Sequence, residues 1–223
     1  EITSIPDDWG KIIFVNYGVF EENKITSISG NWNTSKIGDK AFYKNQITSL
    51  PDDWGKVRTI GNSAFGDNKI SSLPDSWNNV EEIGDYAFYE NNITSIPDNW
   101  EKVKRIGDAS FRRNNITSTG DSWGDVEYIG DNAFRDNSNL SHLPSSWSKV
   151  KRIGNYAFAY EKIDTLPDSW GDVEYIGDGA FRENSNISTL PSSWGKVAYI
   201  GNYAFAYEKI KDLPDSWGEV TTV

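Results

Sequence analysis

Few residues in this chain could do bond-making chemistry. The single histidine, His142 in "LSHLP", has no cysteine and no second histidine to join it, so neither a zinc site of ordinary composition nor an imidazole-activated nucleophile can be assembled. Acidic pairs follow proline at Asp7–Asp8 and Asp52–Asp53. The alternating Asp/Asn ligands of a calcium loop are missing around them, so both pairs are expected to be solvated turns. Every glycine is isolated from the next, which leaves no glycine-rich loop to cradle a phosphate. Sequons at Asn33, Asn92, Asn115, Asn139 and Asn186 follow from a recurring N-I-T/S phrase and carry no weight as modification sites. No catalytic residue, metal ligand set or cofactor is expected.

Recognition chemistry remains. The two positions after a recurring Phe vary most along the chain and hold Tyr43, Tyr89, Arg112, Arg113, Arg135, Tyr160, Arg182 and Tyr207. Tyr and Arg are favoured at interface hot spots, so these residues form a candidate binding strip. Three residues after the same Phe stand Asn23, Asn45, Asn68, Asn91, Asn114, Asn137 and Asn184, with Glu161 and Glu208 in the remaining copies. A stacked amide can serve the backbone of adjacent coils, so these asparagines are expected to form a structural ladder and not a ligand site.

The elements that must position these residues are set by tryptophan. Ten Trp stand at 9, 32, 54, 77, 100, 123, 147, 170, 194 and 217, always 22 to 24 residues apart. A fixed period of this length marks a repeat architecture. A unit of about 23 residues cannot close a core alone, so stability must come from stacked neighbours.

Within Ile93 to Asn115 the apolar positions are Ile93, Ile96, Trp100, Val103, Ile106 and Phe111. Their spacing fits neither a sustained helix nor an alternating strand, so the chain must turn often, with one apolar residue inward on each short side. Pro followed by Asp or Ser starts a turn in eight copies. Gly before Asp or Asn precedes each Ala-Phe pair. The Asp or Asn is a preferred N-cap, which predicts a single helical turn there, and the Gly predicts a sharp bend or close backbone approach.

Charges alternate from copy to copy. The position after the repeat's Val runs Glu81, Lys104, Glu127, Lys151, Glu174, and the next runs Glu82, Arg105, Tyr128, Arg152, Tyr175, Tyr199. A third row reads Lys102, Asp125, Lys149, Asp172, Lys196, Glu219. Parallel strands in register place these residues side by side, with opposite charges and guanidinium-on-ring pairs as neighbours. A larger period is also visible, because the stretch from Asp121 to Ile163 matches that from Asp168 to Ile210, 47 residues on, almost letter for letter. Departures at "SISGNWNTSKIG", "STGDSW", "DNSNL" and "ENSNI" predict local bulging or loosening.

The formal charge is −11, from 33 Asp and Glu against 22 Lys and Arg. That balance, with no basic cluster, opposes binding to nucleic acid or anionic lipid. No apolar run reaches the length of a membrane span, so no direct membrane insertion is expected. Absence of Met, an initial Glu and repeats that break off at both ends predict a fragment of a longer protein. The segment itself is expected to be one solenoid over residues 1–223, with about ten repeats.

With "IGDYAFYENNITSIP" (Ile83 to Pro97) in hand, the chain resembles the BspA-type leucine-rich repeats of bacterial and some protist surface proteins. The resemblance covers essentially the whole chain. Asn stands where that family often has Cys, and Trp where a smaller aliphatic is usual, which should thicken each coil. The resemblance implies a leucine-rich-repeat-like, curved, right-handed solenoid of short parallel β-strands, with the I-T-S-L run on its concave side. It also implies an extracellular or cell-surface location and adhesion to a protein or glycan partner. Together these point to a non-enzymatic recognition module; the alternative is a structural module that assembles head to tail into filaments or layers.

Overall fold

The computed structural model describes residues 1–5, 12–28, 30, 33–75, 77–98, 100–167, 170–214 and 216–223. Asp7–Asp8, Trp9 and Trp32 lie outside the described residues. Among the described residues, nine two-residue strands follow one another at the repeat interval: β1 (Phe14–Val15), β2 (Lys36–Ile37), β3 (Thr59–Ile60), β4 (Glu82–Ile83), β5 (Arg105–Ile106), β6 (Tyr128–Ile129), β7 (Arg152–Ile153), β8 (Tyr175–Ile176) and β9 (Tyr199–Ile200). They pair in parallel and in chain order within one sheet. Each coil is named below by its strand.

The register is fixed by alternation within the two residues. The second residue of every strand is an aliphatic buried in the core, and the first faces outward. A slip by one residue would exchange the two faces. Identical positions therefore stack: Ile83 pairs with Ile106, and Arg105 with Tyr128.

The alternating rows meet accordingly. Arg58 reaches Glu81 at 2.7 Å, Glu81 reaches Lys104 at 3.7 Å, and Lys151 reaches Glu127 at 2.7 Å. In the third row Lys149 contacts Asp125, and Lys196 lies 2.7 Å from Asp172. The guanidinium of Arg105 sits 4.5 Å from the Tyr128 ring centroid, and that of Arg152 sits 3.9 Å from Tyr175. Tyr175 and Tyr199 stack at 4.7 Å. These side chains are largely exposed, so each pair adds only a few tenths of a kcal/mol and serves mainly to specify register.

The core is a set of one-residue columns. Phe rings from Phe20 to Phe205 stack coil on coil, with centroids 5.2–5.5 Å apart and planes within 3–14°. A Trp column runs beside it from Trp54 to Trp217. Burying each ring removes an area worth about 2–3 kcal/mol from water, but only because the coils above and below cover its faces.

A glycine column lets the coils approach. A Cβ at Gly38, Gly61, Gly84, Gly107, Gly130, Gly154, Gly177 or Gly201 would sit 2.4–2.6 Å from the preceding coil. Any side chain there would collide with backbone.

The expected helical turn at the Ala-Phe pair is not what forms; among the described residues this segment is a pair of tight turns. The residue after each Asp or Asn takes a left-handed conformation (Lys40, Ser63, Tyr86, Ala109, Asn132, Tyr156, Tyr203, φ 51–58°), as does the residue four positions on. A right-handed helical turn cannot contain such a residue. Hydrogen bonding decides the competition. Tyr86, Phe88 and Glu90 donate to Asp108, Ser110 and Arg112 in the next coil at 2.7–3.0 Å, while Ala87 and Tyr89 close back onto Gly84 and Tyr86. Alternate amides thus bind the neighbouring coil, which a helix would forbid.

The "STGDSW" departure loosens the stack as the sequence predicts. The Trp column is widest at Trp123, 6.2 Å from Trp100 and 6.1 Å from Trp147. Thr119 and Gly120 replace Leu-Pro there, and the Trp123 indole N–H donates to the Thr119 carbonyl at 2.7 Å. The indoles of Trp77, Trp100, Trp147, Trp170 and Trp194 are buried with no acceptor among the described residues.

Gly107→Ala is expected to lower stability by about 2–3 kcal/mol, because the colliding atoms belong to the backbone of Gly84 and Asp85. Gly55→Ala meets only the Asp53 side chain and should be nearly neutral. Urea unfolding midpoints of the two variants check this.

Candidate interaction surface

Backbone hydrogen bonds reverse direction twice in each coil, and a short polar side chain sits at each reversal. Through the strand, amides donate to the preceding coil: Gly84 N–H bonds the Ile60 carbonyl at 2.8 Å. Through the turns they donate to the following coil, and past Asn91 they turn back again, with Asn92 N–H on Ile70 O at 2.9 Å. At a reversal the carbonyls and amides of neighbouring coils no longer match, and each unmatched buried group would cost about 1–3 kcal/mol.

The asparagines named from the sequence stand at the second reversal. Asn114 Oδ1 accepts Ile93 N–H at 3.0 Å, and its Nδ2 donates to the Phe88 and Phe111 carbonyls at 2.9 and 3.1 Å. Asn45, Asn68 and Asn91 make the same three bonds. Asn137 and Asn184 do so too, fully buried. Asn23 is half-buried, accepting from Ile2 N–H and donating to Glu21 O.

The first reversal is held by the Asp/Asn that the sequence suggested as a helix cap. Its side chain serves the next coil instead: Asp39 Oδ1 accepts Asn62 N–H, Asn62 accepts Asp85, Asp85 accepts Asp108, and Asp108 accepts Asp131, at 2.8–2.9 Å.

Both joints frame one outward face, and the Tyr/Arg residues lie on it. Tyr43 is flanked by Lys40 and Lys44, 5.8 and 5.3 Å from the ring centroid. Tyr89 donates its hydroxyl to Glu90 at 2.9 Å, and Arg113 contacts both groups. Burial, followed by the Glu90 bond, raises the Tyr89 hydroxyl above its ordinary value. The hydrogen bond from Arg113 holds the Glu90 carboxyl below its own. Arg112 reaches Asp136 in the next coil at 2.9 Å. Arg135 lies 4.9 Å from the Tyr160 ring centroid, and Arg182 5.1 Å from that of Tyr207.

Sequence reasoning missed a third column on this face. Tyr86, Tyr156 and Tyr203 occupy the left-handed position between the Asp/Asn and the Ala. Tyr86 packs edge-on against Tyr89 at 5.6 Å, Tyr156 shares Arg135 with Tyr160, and Tyr203 shares Arg182 with Tyr207. Tyr86, Tyr203 and Tyr207 are exposed by 47, 68 and 63%. The recurrence of Tyr at that position was the available signal. The other polar candidates remain apart from this face: His142 Nε2 lies 2.9 Å from Asp121 with both side chains exposed, and Asp53 caps Gly55 N–H in its turn.

The chain belongs to the BspA type leucine rich repeat region family, whose six-copy model matches residues 3–117 and again 104–219. No curated protein sequence matches at a significant level. Three solved structures are similar. A leucine-rich repeat protein of Eubacterium ventriosum is 17% identical, with a TM-score of 0.41 over 82% of this chain and 64% of that one. A leucine rich cell surface protein of Faecalibacterium prausnitzii is 20% identical, with a TM-score of 0.47 over 99% of this chain and 77% of that one. A leucine-rich repeat protein of Bacteroides ovatus is 19% identical, with a TM-score of 0.45 over 96% of this chain and 55% of that one.

Asn114→Ala removes a buried acceptor and donor together and is expected to cost about 2–4 kcal/mol. Arg113→Ala, on the outward face, should cost under about 0.5 kcal/mol. Thermal unfolding of both variants distinguishes the structural ladder from the display face.

Proposed function

We propose that this chain is a non-enzymatic recognition module of an extracellular or cell-surface protein, binding a protein or glycan partner through the Tyr/Arg strip. The observation that carries this reading is the composition and fixing of one face. Tyr43, Tyr89, Arg112, Arg113, Arg135, Tyr160, Arg182 and Tyr207, with Tyr86, Tyr156 and Tyr203 beside them, project from turns whose backbone is bonded to both neighbours.

Two physical features support it. The side chains are held by one another, Arg135 and Arg182 against tyrosine rings and Arg113 against Glu90. Groups ordered before contact lose less entropy on binding. The strip also collects tyrosine and arginine on a molecule of formal charge −11, the residue types that carry most interface energy. The location rests on membership of a repeat family of surface proteins.

A panel of purified extracellular-matrix proteins and immobilised glycans, probed with the labelled chain, tests the reading. The Arg112→Glu/Arg113→Glu variant, which also sets like charges against Asp136 and Glu90 and so should melt slightly lower while remaining folded, should bind its partner at least about tenfold more weakly, about 1.4 kcal/mol. A Tyr203→Ala/Tyr207→Ala variant probes the other end of the strip in the same way. Full binding by both variants would remove this face from consideration.

A further inference from the structure

Two rungs of the asparagine ladder are acids. Glu161 is 4% exposed, and its Oε1 accepts Asn137 N–H at 2.9 Å, while Oε2 is buried without a hydrogen-bond partner. Glu208 repeats the arrangement on Asn184 N–H at 2.9 Å, again with Oε2 unpartnered. Both acids face a coil one residue longer than the others. In Asn137–Leu140 and Asn184–Ile187 the extra residue closes a small turn, Leu140 N–H on Asn137 O at 2.8 Å and Ile187 N–H on Asn184 O at 3.0 Å. That turn redirects the amide which an asparagine rung would have capped, and the longer glutamate reaches the Asn N–H instead.

The acid differs from the amide in one respect. An asparagine rung both accepts and donates, and its donor serves the Phe carbonyls of its own and the preceding coil, as Asn184 Nδ2 does with Phe181 and Phe158 at 2.8 and 2.7 Å. A carboxylate has no hydrogen for that role, whereas a carboxylic acid supplies one acceptor and one donor like the amide. The charged groups around the site do not favour ionisation. Asp136 in the preceding coil acts against a charge on Glu161, and Glu183 acts against a charge on Glu208. Lys162, next in the chain, places its Nζ on Asn139 Oδ1 at 2.8 Å, and Arg182 lies beside Glu183. Lys209 follows Glu208 and makes no ion pair among the described residues. Burial raises the Glu161 carboxyl well above its ordinary value and pushes that of Glu208 up to about 7, outweighing the Asn137 and Asn184 N–H bonds, which taken alone favour the carboxylate.

We propose that Glu161 and Glu208 are proton-controlled rungs, which close the stack from the β6 coil to the β9 coil when protonated and free the 137–140 and 184–187 turns when ionised. They adjoin Tyr160 and Tyr207 in the chain, so the C-terminal half of the strip is held in mildly acidic surroundings and loosened in alkaline ones. Control over binding rests on the recognition reading; the rungs themselves do not. The folded-state values lie above the unfolded ones, so the stabilisation is complete below the ordinary carboxyl range and is lost as pH rises through the folded values.

Carbon NMR of the glutamate carboxyls in the full chain tests this without any partner. Glu161 and Glu208 should titrate well above the other glutamates. Exchange protection of Ile187 N–H, which closes the 184–187 turn onto Asn184 O, relative to Ile93 N–H, which bonds an asparagine rung, should fall at least about tenfold between about pH 5 and 8. The variants Glu161→Gln and Glu208→Gln, which carry a neutral amide, should abolish that fall. Titration in the ordinary carboxyl range, or a fall that persists in the Gln variants, overturns the proposal; if a Gln variant fails to fold, the wild-type titration decides alone. Loss of partner binding in the strip variants at one fixed pH reports on the recognition reading separately.

Discussion

The constraint on which the rest depends is that each coil must return within about 23 residues to a point one strand spacing above its start, with every buried amide and carbonyl paired to a neighbour. Strands of only two residues cannot meet that demand alone. The coil meets it by donating backward through the strand and forward through the turns, so each neighbour is bonded from two sides. The cost is a pair of joints at which backbone groups cannot match, and these are the places where Asp39, Asp85 and Asp108, and Asn45, Asn91 and Asn114, insert side-chain groups. Left-handed residues at Tyr86 and Glu90 are tolerated because bonds on both sides over-determine them.

How much of this was legible followed from whether a feature is written in side-chain type or in backbone direction. The period, the register and the pairings of Glu81 with Lys104 and of Arg105 with Tyr128 could be read from Trp spacing and alternating charge, because stacking repeats them at every coil. The glycine after the strand aliphatic was legible as a close approach. The turn around Ala-Phe was not, since Asp followed by Ala and Phe is locally compatible with a helix start, and the inter-coil bonds that prevail there leave no mark in propensity. Assigning a helix hid the face to which Tyr86, Tyr156 and Tyr203 belong. With left-handed φ at that position, its side chain joins those of the residues after Phe, and a strip two residues wide becomes three.

The same joints explain how one face can be variable while the fold is not. The groups that hold the coils, the Asn amide and the backbone of the turns, lie beneath or within the chain, whereas Arg113 meets Tyr89, Arg135 meets Tyr160 and Arg182 meets Tyr207 above it. Those contacts are half-exposed ion pairs and cation–π contacts, individually worth well under about 1 kcal/mol, so their replacement would leave the stack intact. A repeat solenoid is stabilised by interfaces between neighbours, and here each interface is supplied by Phe, Trp, Ile and Asn columns that need nothing from the strip.

The 47-residue double period also follows from pairing between neighbours. A coil with the long Asn137–Leu140 turn presents an amide that an asparagine in the next coil is too short to meet, and the next coil answers with Glu161. The outward charges impose the same pairing: Glu127 under Lys151 and Asp125 under Lys149 would become like charges if a single coil were duplicated. Two coils are therefore the smallest piece that carries both a departure and its complement. Duplicating that piece from Asp121 onward carries departure and complement together, as Glu208 on Asn184 and Lys196 on Asp172 show, even though Ala198 now stands where Lys151 faced Glu127; duplicating one coil would leave an unmatched amide and two repelling columns at the new junction.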